Sequence, residues 1–313
     1  MKKVLITGGA GFVGRHLADH LLTRGDVEVT VIDNESLGDR KHLDLDRVRF
    51  IQGDLRNRDD LRGALEGQDA VVHLAADPRV MDSIENPVHN FENNVVGTFN
   101  LLELCRELGV NRVVAASTGG AILGDVEPPV HERMAPQPTS PYGASKLMLE
   151  GYLSAYSSSF GVSGCALRFS NIYGSRSFHK GSVVAHFYKQ ILAGDPLIVY
   201  GDGSQTRDFL FAGDLVEAIR TAVDSDAEGA FQLGSGVGTT VNQLIDHMRD
   251  ATGLDLEVVY QDFRDGEIKD TWCDITKARE GFGFAPTTPL ADGLKQTWDW
   301  FTTASREGRN GAG

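Results

Sequence analysis

The sequence predicts an α/β protein with a doubly wound parallel sheet and a smaller mixed α/β lobe towards its C-terminus. Short runs rich in β-branched residues alternate with amphipathic segments of helix length through the first half of the chain. A glycine-rich turn directly follows the first of these runs, which is typical of the Rossmann fold. The chain has 313 residues, of which 41% are apolar and 24% charged. This is ordinary globular usage, so disorder and fibrous structure are excluded.

Five short apolar runs are typical of buried strands, because they are rich in β-branched residues and bounded by Gly, Asp or Asn. These runs are Val4–Thr7, Val27–Ile32, Val48–Gln52, Ala70–Ala75 and Arg112–Ser117. Four amphipathic segments have the length and periodicity of helices. These segments are Val13–Arg24, Asp59–Leu65, Asn93–Leu108 and Tyr142–Phe160. The alternation predicts a parallel sheet, since parallel strands need long crossover connections.

The length of the chain predicts two packed lobes, at roughly 100–200 residues per domain. After Leu167 the alternation loosens into glycine-containing loops followed by shorter elements. We expect a Rossmann domain over residues 1–170 together with about 207–236, and a smaller lobe over residues 171–206 and 237–313. The smaller lobe is expected to face the carboxyl edge of the sheet, where ligands of doubly wound proteins bind.

The charge and cysteine content limit the possible partners and surroundings. Thirty Lys and Arg against 44 Asp and Glu give a net charge of −14, so nucleic acid and anionic membranes are not expected partners. The three cysteines stand far apart without a CxxC spacing, which favours reduced thiols and a cytoplasmic protein. No secretory signal or membrane span is expected, because no apolar segment approaches the ~20 residues of a span. His16 and His20 are spaced like metal ligands, but no suitable third ligand is near them in sequence and we expect no metal.

The turn after the first predicted strand has the spacing of a dinucleotide-binding fingerprint, TGGAGFVG over residues 7–14. Gly8 permits a tight turn, Gly11 lets the backbone approach a pyrophosphate, and Gly14 lets the helix pack closely on the strand. The pyrophosphate would lie at the positive N-terminal end of the first helix. Asp33 ends the second predicted strand, where a carboxylate accepts hydrogen bonds from ribose hydroxyls and repels a 2′-phosphate. The predicted cofactor is therefore NAD rather than NADP.

Further cofactor contacts are expected where the next strands end at the same edge of the sheet. Asp54 follows the third strand, where a carboxylate could meet the adenine amino group, although an ordinary Asp turn fits the spacing equally well. Small residues follow the fourth strand, as the close approach of a cofactor requires. The additional cofactor candidates are Phe12, Val13, Asn34, Asp54, Leu55, Leu74, Ala75, Ala76 and Asn94.

Tyr142 and Lys146 lie four residues apart at the start of a predicted helix, so they share one face of it. A tyrosine with its ordinary pKa of about 10 is a poor base near neutral pH. A neighbouring ammonium group and a positively charged nicotinamide ring both favour the phenolate and would lower this pKa. We therefore expect Tyr142 to act as the base that takes a proton from an alcohol while hydride leaves its carbon.

Together these motifs resemble the extended short-chain dehydrogenase/reductase family, in its NAD-dependent nucleotide-sugar epimerase/dehydratase branch, over essentially the whole chain. The motifs are TGGAGFVG at 7–14, Asp33, GDL at 53–55, LAA at 74–76, NVVGT at 94–98, STGG at 117–120, Tyr142 with Lys146, RFSNIYG at 168–174 and YGDGSQTRDF at 200–209. The resemblance implies a Rossmann domain that holds NAD and a smaller lobe that holds a UDP-sugar. It also implies a homodimer formed through the helices Asn93–Leu108 and Tyr142–Phe160.

The resemblance further implies where the substrate binds. Asn171, Arg207 and Arg264 match diphosphate-binding positions of the family, and two arginines with an amide suit a doubly charged diphosphate. The other residues expected to contact substrate are Arg79, Arg176, His179, Lys180, Val183 and Tyr200. Several of these are cationic, which in an acidic protein suggests a charge on the sugar, such as the C6 carboxylate of UDP-glucuronate. Contacts of these cations with phosphate, solvent or acidic neighbours fit the sequence equally well.

The segment before Gly124 distinguishes the reaction classes of this family. Members that eliminate water have an Asp–Glu pair there, and this chain has Gly120 and Ala121 at those positions. The resemblance therefore implies NAD-dependent C4 epimerisation of a UDP-hexose, such as UDP-glucose or UDP-glucuronate, through a transient 4-keto intermediate. A nucleotide-4-keto-sugar reductase and a dehydratase are the alternative enzymes.

The resemblance implies catalytic roles for four residues. Tyr142 would take the proton of the 4-hydroxyl, and Lys146 would orient the nicotinamide ribose and lower the pKa of Tyr142. The family's usual Ser or Thr beside the reacting oxygen falls on Gly119 in this chain. Either Thr118 or Ser117 would then supply the assisting hydroxyl.

Overall fold

The computed structural model describes residues 1–263 and 269–306 of the chain. Its strands are β1 Lys2–Thr7, β2 Val27–Asp33, β3 Val48–Gln52, β4 Ala70–His73, β5 Arg112–Thr118, β6 Ser163–Phe169, β7 Asn171–Tyr173, β8 Leu197–Tyr200, β9 Thr206–Arg207, β10 Phe209–Phe211, β11 Gly229–Leu233, β12 Thr239–Thr240 and β13 Val258–Gln261. Its α-helices are α1 Phe12–Arg24, α2 Arg58–Leu65, α3 Val80–Glu85, α4 Pro87–Asn90, α5 Gly97–Leu108, α6 Gly120–Leu123, α7 Pro141–Phe160, α8 Val183–Ala193, α9 Ala212–Asp224, α10 Val241–Thr252, α11 Thr276–Phe282 and α12 Leu290–Arg306.

Seven parallel strands form the central sheet, in the order β11-β6-β5-β4-β1-β2-β3. The chain first builds β1, β2 and β3 towards one edge and then continues with β4, β5 and β6 towards the other. The direction of winding therefore reverses between β1 and β4, which leaves a crevice at the carboxyl ends of these two strands. This topology confirms the predicted doubly wound sheet.

Helices cover both faces of this sheet, so its strands are buried on both sides. On one face, α1 and α9 pack through fully buried side chains such as Leu17 and Ile219. On the other face, α2, α5 and α7 contribute Leu61, Leu104 and Leu153. Burying each such side chain contributes roughly 2 kcal/mol. The apolar strand runs in the sequence reflect this burial, since a strand covered on both faces needs no polar side.

A smaller lobe packs around its own apolar core. That core is drawn from residues 173–211 and 241–301, with Tyr188 and Phe301 at its centre. α8, α10 and α12 surround it, and β8 and β13 pair in parallel beside them. Two further short pairs, β7 with β10 and β9 with β12, complete its strands among the described residues.

Two predicted elements are longer than the observed ones. The helix predicted over Asn93–Leu108 is regular only from Gly97, because Phe91–Val96 forms a wider, π-helical segment. In that segment the side chain of Asn94 is buried and bonds both backbone groups of Asp77, at 2.8 and 3.0 Å. The strand predicted over Ala70–Ala75 ends at His73, because residues 74–76 leave the sheet at the reversal point. Among the described residues no helix is long and apolar enough to cross a membrane.

Candidate active site

Glycines at the start of α1 bring the helix and the strand ends into close contact. Gly8 follows β1 with φ of +68°, and a Cβ on it would lie 2.7 Å from the backbone of Ala75 after β4. Gly14 lies in the first turn of α1, where a Cβ would lie 2.4 Å from the Cα of Gly9. Only glycine combines a positive φ with such an approach at Gly8. The glycine-rich turn therefore lies directly on the crevice between β1 and β4.

The N-terminal end of α1 is suited to an anion. Gly11 caps the helix without a side chain, and the first turn contains no acidic residue. The N–H groups of a first helical turn have no partner within the helix, and the helix dipole makes this end positive. A bound pyrophosphate would satisfy both features. Together with the close backbone approaches at Gly8 and Gly14, this geometry fits a dinucleotide cofactor.

Asp33 ends β2 beside this turn and is only 8% exposed. Its carboxylate accepts hydrogen bonds from the backbone N–H of Ala10 at 3.0 Å and of Glu35 at 2.7 Å. Burial raises the pKa of Asp33, and these two hydrogen bonds oppose the rise. The oxygens keep lone pairs that can accept from ribose hydroxyls, whereas a 2′-phosphate would be repelled. The site therefore fits NAD better than NADP.

Asp54 lies next to Asn34, whose amide donates to its carboxylate at 3.1 Å. Arg56 also binds both oxygens of Asp54, at 2.9 and 2.7 Å, and this pairing holds the pKa of Asp54 well below its usual range. The backbone N–H of Arg56 donates to the same carboxylate at 2.9 Å. Asp54 therefore forms an Asp turn closed by an ion pair, and its contact with adenine stays a prediction.

The remaining cofactor candidates fall into three groups. Leu74, Ala75 and Ala76 form the turn after β4 that faces Gly8, and they are half-buried. Phe12 and Leu55 are buried, at 6% and 8% exposure. Val13, in the first turn of α1, packs against the core. Asn94 is buried and bonded to Asp77, so it supports the loop after β4 through that contact.

Tyr142 and Lys146 lie on the first two turns of α7, which Ser140 caps by accepting a hydrogen bond from the Gly143 N–H at 3.2 Å. Lys146 is 4% exposed. Its Nζ donates to the carbonyl oxygen of Ala116 at 2.9 Å and lies 6.0 Å from the centre of the Tyr142 ring. The cap and the carbonyl thus hold the ammonium group beside the phenol ring.

The expectation that Lys146 lowers the pKa of Tyr142 is not met by the protein chain alone. Burial and the nearby Asp77 carboxylate raise the pKa of Tyr142 to about 12. Burial lowers the pKa of Lys146 to about 8, against the opposing effect of Glu150. A phenolate here therefore needs a further positive charge, which an oxidised nicotinamide ring carries.

The hydroxyl of Ser117 is directed at Glu150, which lies on α7 one turn after Lys146. It donates to Glu150 at 2.6 Å, and Arg168 holds the same carboxylate through two hydrogen bonds of 2.8 and 2.7 Å. Ser117 and Arg168 are each 3% exposed. This network engages the hydroxyl of Ser117, and the assisting role of Thr118 or Ser117 stays a prediction.

A cavity of about 270 Å³ lies where β5 and β6 end. Three predicted site residues line it, namely Thr118, Asn171 and Arg207. The guanidinium of Arg207 also donates to the carbonyl oxygens of Thr206 and Lys269, at 2.8 and 2.9 Å. Residues of both lobes therefore meet around this cavity, as a sugar nucleotide site requires.

Two predicted cations of the loop after β7 pack on α1. Arg176 pairs with Asp19 at 2.5 Å, and its carbonyl oxygen accepts from the buried Arg15. His179 lies 3.4 Å from the same Arg15 guanidinium. These contacts place Arg176 and His179 beside the cofactor-binding helix, and neither is among the described residues that line the cavity.

The other two predicted cations also have partners within the chain. Lys180 donates to the carbonyl oxygen of Ile172 at 3.1 Å and lies 4.3 Å from the centre of the Phe12 ring. Arg79 binds both oxygens of Asp77, at 2.9 and 2.6 Å, and contacts Asp82 at 2.6 Å. All four cations thus have partners within the chain, and recognition of a sugar carboxylate by them stays a prediction.

The last predicted substrate residues lie in the smaller lobe or outside the described part. Val183 is the first residue of α8, and Tyr200 is the last residue of β8. Arg264 lies outside the described residues. The contribution of these three to substrate binding stays a prediction.

The cavity also brings together residues that the sequence analysis did not single out as site residues. They include Ser170, Gln232, Trp272 and Cys273. Ser170 lies within the motif RFSNIYG at 168–174. Gln232 lies in β11 and reaches the cavity only because β11 pairs with β6. A short motif has no signal for such a residue, since the approach depends on strand pairing between distant segments.

The fold and site define a dinucleotide-binding α/β enzyme with a Tyr–Lys pair beside its cofactor crevice. The family model of the NAD dependent epimerase/dehydratase family matches residues 4–234. The chain is 34% identical over 314 residues to UDP-glucose 4-epimerase of Mycolicibacterium smegmatis, covering 97% of this chain and 100% of that protein. It therefore belongs to the NAD-dependent epimerase/dehydratase family.

Solved structures agree with this assignment. UDP-glucose 4-epimerase of Thermotoga maritima, solved with UDP-glucose, superposes with a TM-score of 0.92 at 35% identity, covering 97% of this chain and 99% of that chain. UDP-glucose 4-epimerase of Thermus thermophilus, solved with NAD, gives a TM-score of 0.89 at 37% identity, covering 96% and 99%. The similarity thus extends over both lobes.

Proposed function

We propose that the protein is an isomerase, an NAD-dependent 4-epimerase of a UDP-hexose. The observation that carries the proposal is the Tyr142–Lys146 pair beside the cofactor crevice, with no acidic residue in the β5–α6 turn. Members of the resembled family that eliminate water have an Asp–Glu pair as acid and base at two positions that in this chain are Gly120 and Ala121, at the start of α6. Similarity to the UDP-glucose 4-epimerases of M. smegmatis and T. maritima supports the same reaction.

The residues of the chain provide the proton transfer and the binding. Tyr142 takes the proton of the sugar's 4-hydroxyl as C4 loses hydride, and returns that proton after the ring has turned over. When bound, NAD supplies an oxidised nicotinamide that accepts the C4 hydride and gives it back, so no net redox change occurs. Asn171 and Arg207 hold the diphosphate at the cavity while the hexose turns, and Lys146 keeps a positive charge beside the phenol.

The proposal is tested by incubating the purified protein with UDP-glucose, UDP-N-acetylglucosamine and UDP-glucuronate, each without added cofactor, and identifying the products by NMR. We expect conversion of at least one sugar to its C4 epimer at an equilibrium that consumes no cofactor. A requirement for added NADH would indicate the reductase instead. Loss of water from the sugar would indicate a dehydratase.

We also propose that two copies of the chain pair through α5 and α7. These helices expose Phe99 and Tyr152 at 39% each and Phe160 at 52%, and the rings of Phe99 and Tyr152 meet edge to face at 5.7 Å. A second cavity of about 510 Å³ beside α7 has a mainly apolar lining that includes Phe91 and Met148. An exposed cluster of large apolar side chains is typical of a protein interface. The resemblance to the family supports the same pairing.

A further inference from the structure

Gln232 is a buried polar residue at the wall of the cavity. It lies in β11, in register with Arg168 of β6, which in turn is in register with Ser117 of β5. Gln232 is 1% exposed, and neither its Oε1 nor its Nε2 has a hydrogen-bond partner among the described residues. Ser170 lines the same cavity, and its hydroxyl is also buried without a partner there.

Such unpartnered atoms need an explanation, because a buried donor or acceptor without a hydrogen-bond partner destabilises the folded protein. An apolar side chain of the same size would avoid this cost in a purely structural position. Most buried polar groups of native proteins are bonded, and exceptions cluster where a ligand or ordered water completes the bonding. The amide of Gln232 is therefore suited to a polar ligand in the cavity.

Gly119 explains which ligand group this amide would meet. A Cβ on Gly119 would lie 2.7 Å from Oε1 of Gln232, so the amide occupies the place that a side chain at position 119 would need. Position 119 is where the family resemblance puts the Ser or Thr beside the reacting sugar. The glycine and the glutamine are thus complementary, since the absence of a side chain on one leaves room for the other.

We propose that Gln232 hydrogen-bonds the hexose ring of the substrate, from the place that a side chain at position 119 would occupy. The inference rests on the proposed function. An amide has an NH₂ donor and a carbonyl acceptor, so it can bond a sugar oxygen both as a hydroxyl and as a ketone. The proposal makes Gln232 a substrate-binding residue, and Thr118 remains the candidate for assisting the proton transfer.

The first test replaces Gln232 by leucine, which keeps the volume and removes the amide. We expect Gln232→Leu to lower kcat/KM for the UDP-hexose by at least ~10-fold, as loss of a polar group that contacts the substrate does. Affinity for UDP, measured by calorimetry, should stay unchanged, because UDP lacks the hexose. The melting temperature should stay equal or rise, since no satisfied hydrogen bond is lost. A fall in melting temperature with unchanged kcat/KM would show a structural role and overturn the proposal.

Gln68 provides the matched control. It is a buried glutamine whose Oε1 also has no partner among the described residues, and it lies remote from the cavity, bonded to Thr30 at 3.1 Å. Gln68→Leu should leave the ratio of affinities for UDP-hexose and UDP as in the wild type. An equal loss of that ratio in both variants would contradict the proposal.

A rescue experiment tests the complementarity of positions 119 and 232. Gln232→Ala should lower the ratio of affinities for UDP-hexose and UDP. Adding Gly119→Ser to this variant should recover part of the loss, because the shortened side chain at position 232 leaves room for a serine that can bond the hexose. A double variant no better than Gln232→Ala would count against the inference. The binding ratio is measured without turnover, so it reports on Gln232 even if the wild type epimerises no sugar, a result that would refute the proposed function instead.

Discussion

At the scale of single residues, the site places the half-buried Tyr142 next to the buried Lys146, and the pKa values of the two are shifted in opposite directions. Burial and Asp77 raise the pKa of Tyr142 to about 12, and burial lowers the pKa of Lys146 to about 8. At neutral pH Tyr142 is therefore a neutral phenol in the protein alone, whereas Lys146 still carries its positive charge. Proton transfer by Tyr142 then depends on the charge that the cofactor brings, which links activity to cofactor binding.

Tyr142→Phe is predicted to abolish turnover while NAD still binds. The change removes the hydroxyl that carries the proton, which should lower kcat by at least ~10²-fold. Initial rates and calorimetric NAD binding measure the two effects. Tyr152→Phe is the control, because Tyr152 lies on the same helix with 39% exposure and should keep its activity. Near-normal turnover of Tyr142→Phe would remove this residue from the role of base.

Ser117→Ala and Thr118→Ala are predicted to have different effects. Ser117 donates to the buried Glu150 at 2.6 Å, so its loss should destabilise the fold by ~1 kcal/mol with little effect on hydride transfer. Thr118 lines the cavity, and its loss should slow the single-turnover rate. Stopped-flow absorbance of the reduced nicotinamide and urea unfolding separate these effects. An unchanged single-turnover rate in Thr118→Ala would assign the assisting role elsewhere.

At the scale of elements, the contact between β1 and α1 sets the cofactor crevice. A Cβ at position 14 would lie 2.4 Å from Gly9 and 2.6 Å from the carbonyl oxygen of Gly8, and both obstacles are backbone. Backbone atoms cannot move aside as a flexible side chain can. The helix would therefore have to shift away from the strand, and its N-terminal N–H groups would move with it.

Gly14→Ala is accordingly predicted to destabilise the protein by several kcal/mol and to remove NAD binding. Gly63→Ala is the matched control, because Gly63 lies within α2 with no atom within 4 Å of an added Cβ. That variant should be stabilised by about 0.5–1 kcal/mol, since alanine is the better helix former. Thermal melting with and without NAD measures both variants, and equal stability of the two would refute the packing role of Gly14.

The exposed face of α5 and α7 is predicted to carry the interface between subunits. Phe99→Glu combined with Tyr152→Glu introduces charges where an apolar contact is proposed, so the protein should elute as a monomer. Light scattering after size exclusion measures the mass. Leu254→Glu adds a charge at another exposed apolar residue, 48% exposed, and should leave the mass unchanged. A wild-type protein that is already monomeric would contradict the proposed pairing.

At the scale of the whole molecule, buried basic groups make stability depend on pH. The pKa of Lys146 is about 8 in the folded chain and 10.5 in its ordinary state. Between these values the unfolded chain binds more protons, so the contribution of Lys146 to the free energy of unfolding rises with pH. It is least favourable below pH 8, where the folded protein must bury a charge.

Lys146→Met is predicted to flatten this dependence in the NAD-free protein. The slope lost between about pH 8 and 10 is at most ~1.4 kcal/mol per pH unit. Urea unfolding of wild type and variant across that range measures the difference. Lys295→Met, at a lysine whose side chain is 62% exposed, should keep the wild-type slope. Parallel curves for Lys146→Met and the wild type would show that this lysine titrates normally.

The sequence by itself determined the architecture and the cofactor of this protein. Strand and helix periods, the glycine spacing and Asp33 are local signals, because each depends on neighbours within a few turns or on one strand end. The doubly wound sheet follows from them. The spacing of Tyr142 and Lys146 is equally local, since residues four apart on a helix share a face.

Only the tertiary structure decided how side chains from distant segments are paired. It joined Ser117 to Glu150, paired Arg176 with Asp19, and placed Gln232 against Gly119 across three strands. Each of these contacts depends on strand order, register and burial, which no short window of sequence contains. For the same reason the raised pKa of Tyr142 could not be foreseen, since desolvation and the charge of Asp77 arise only once the chain has folded.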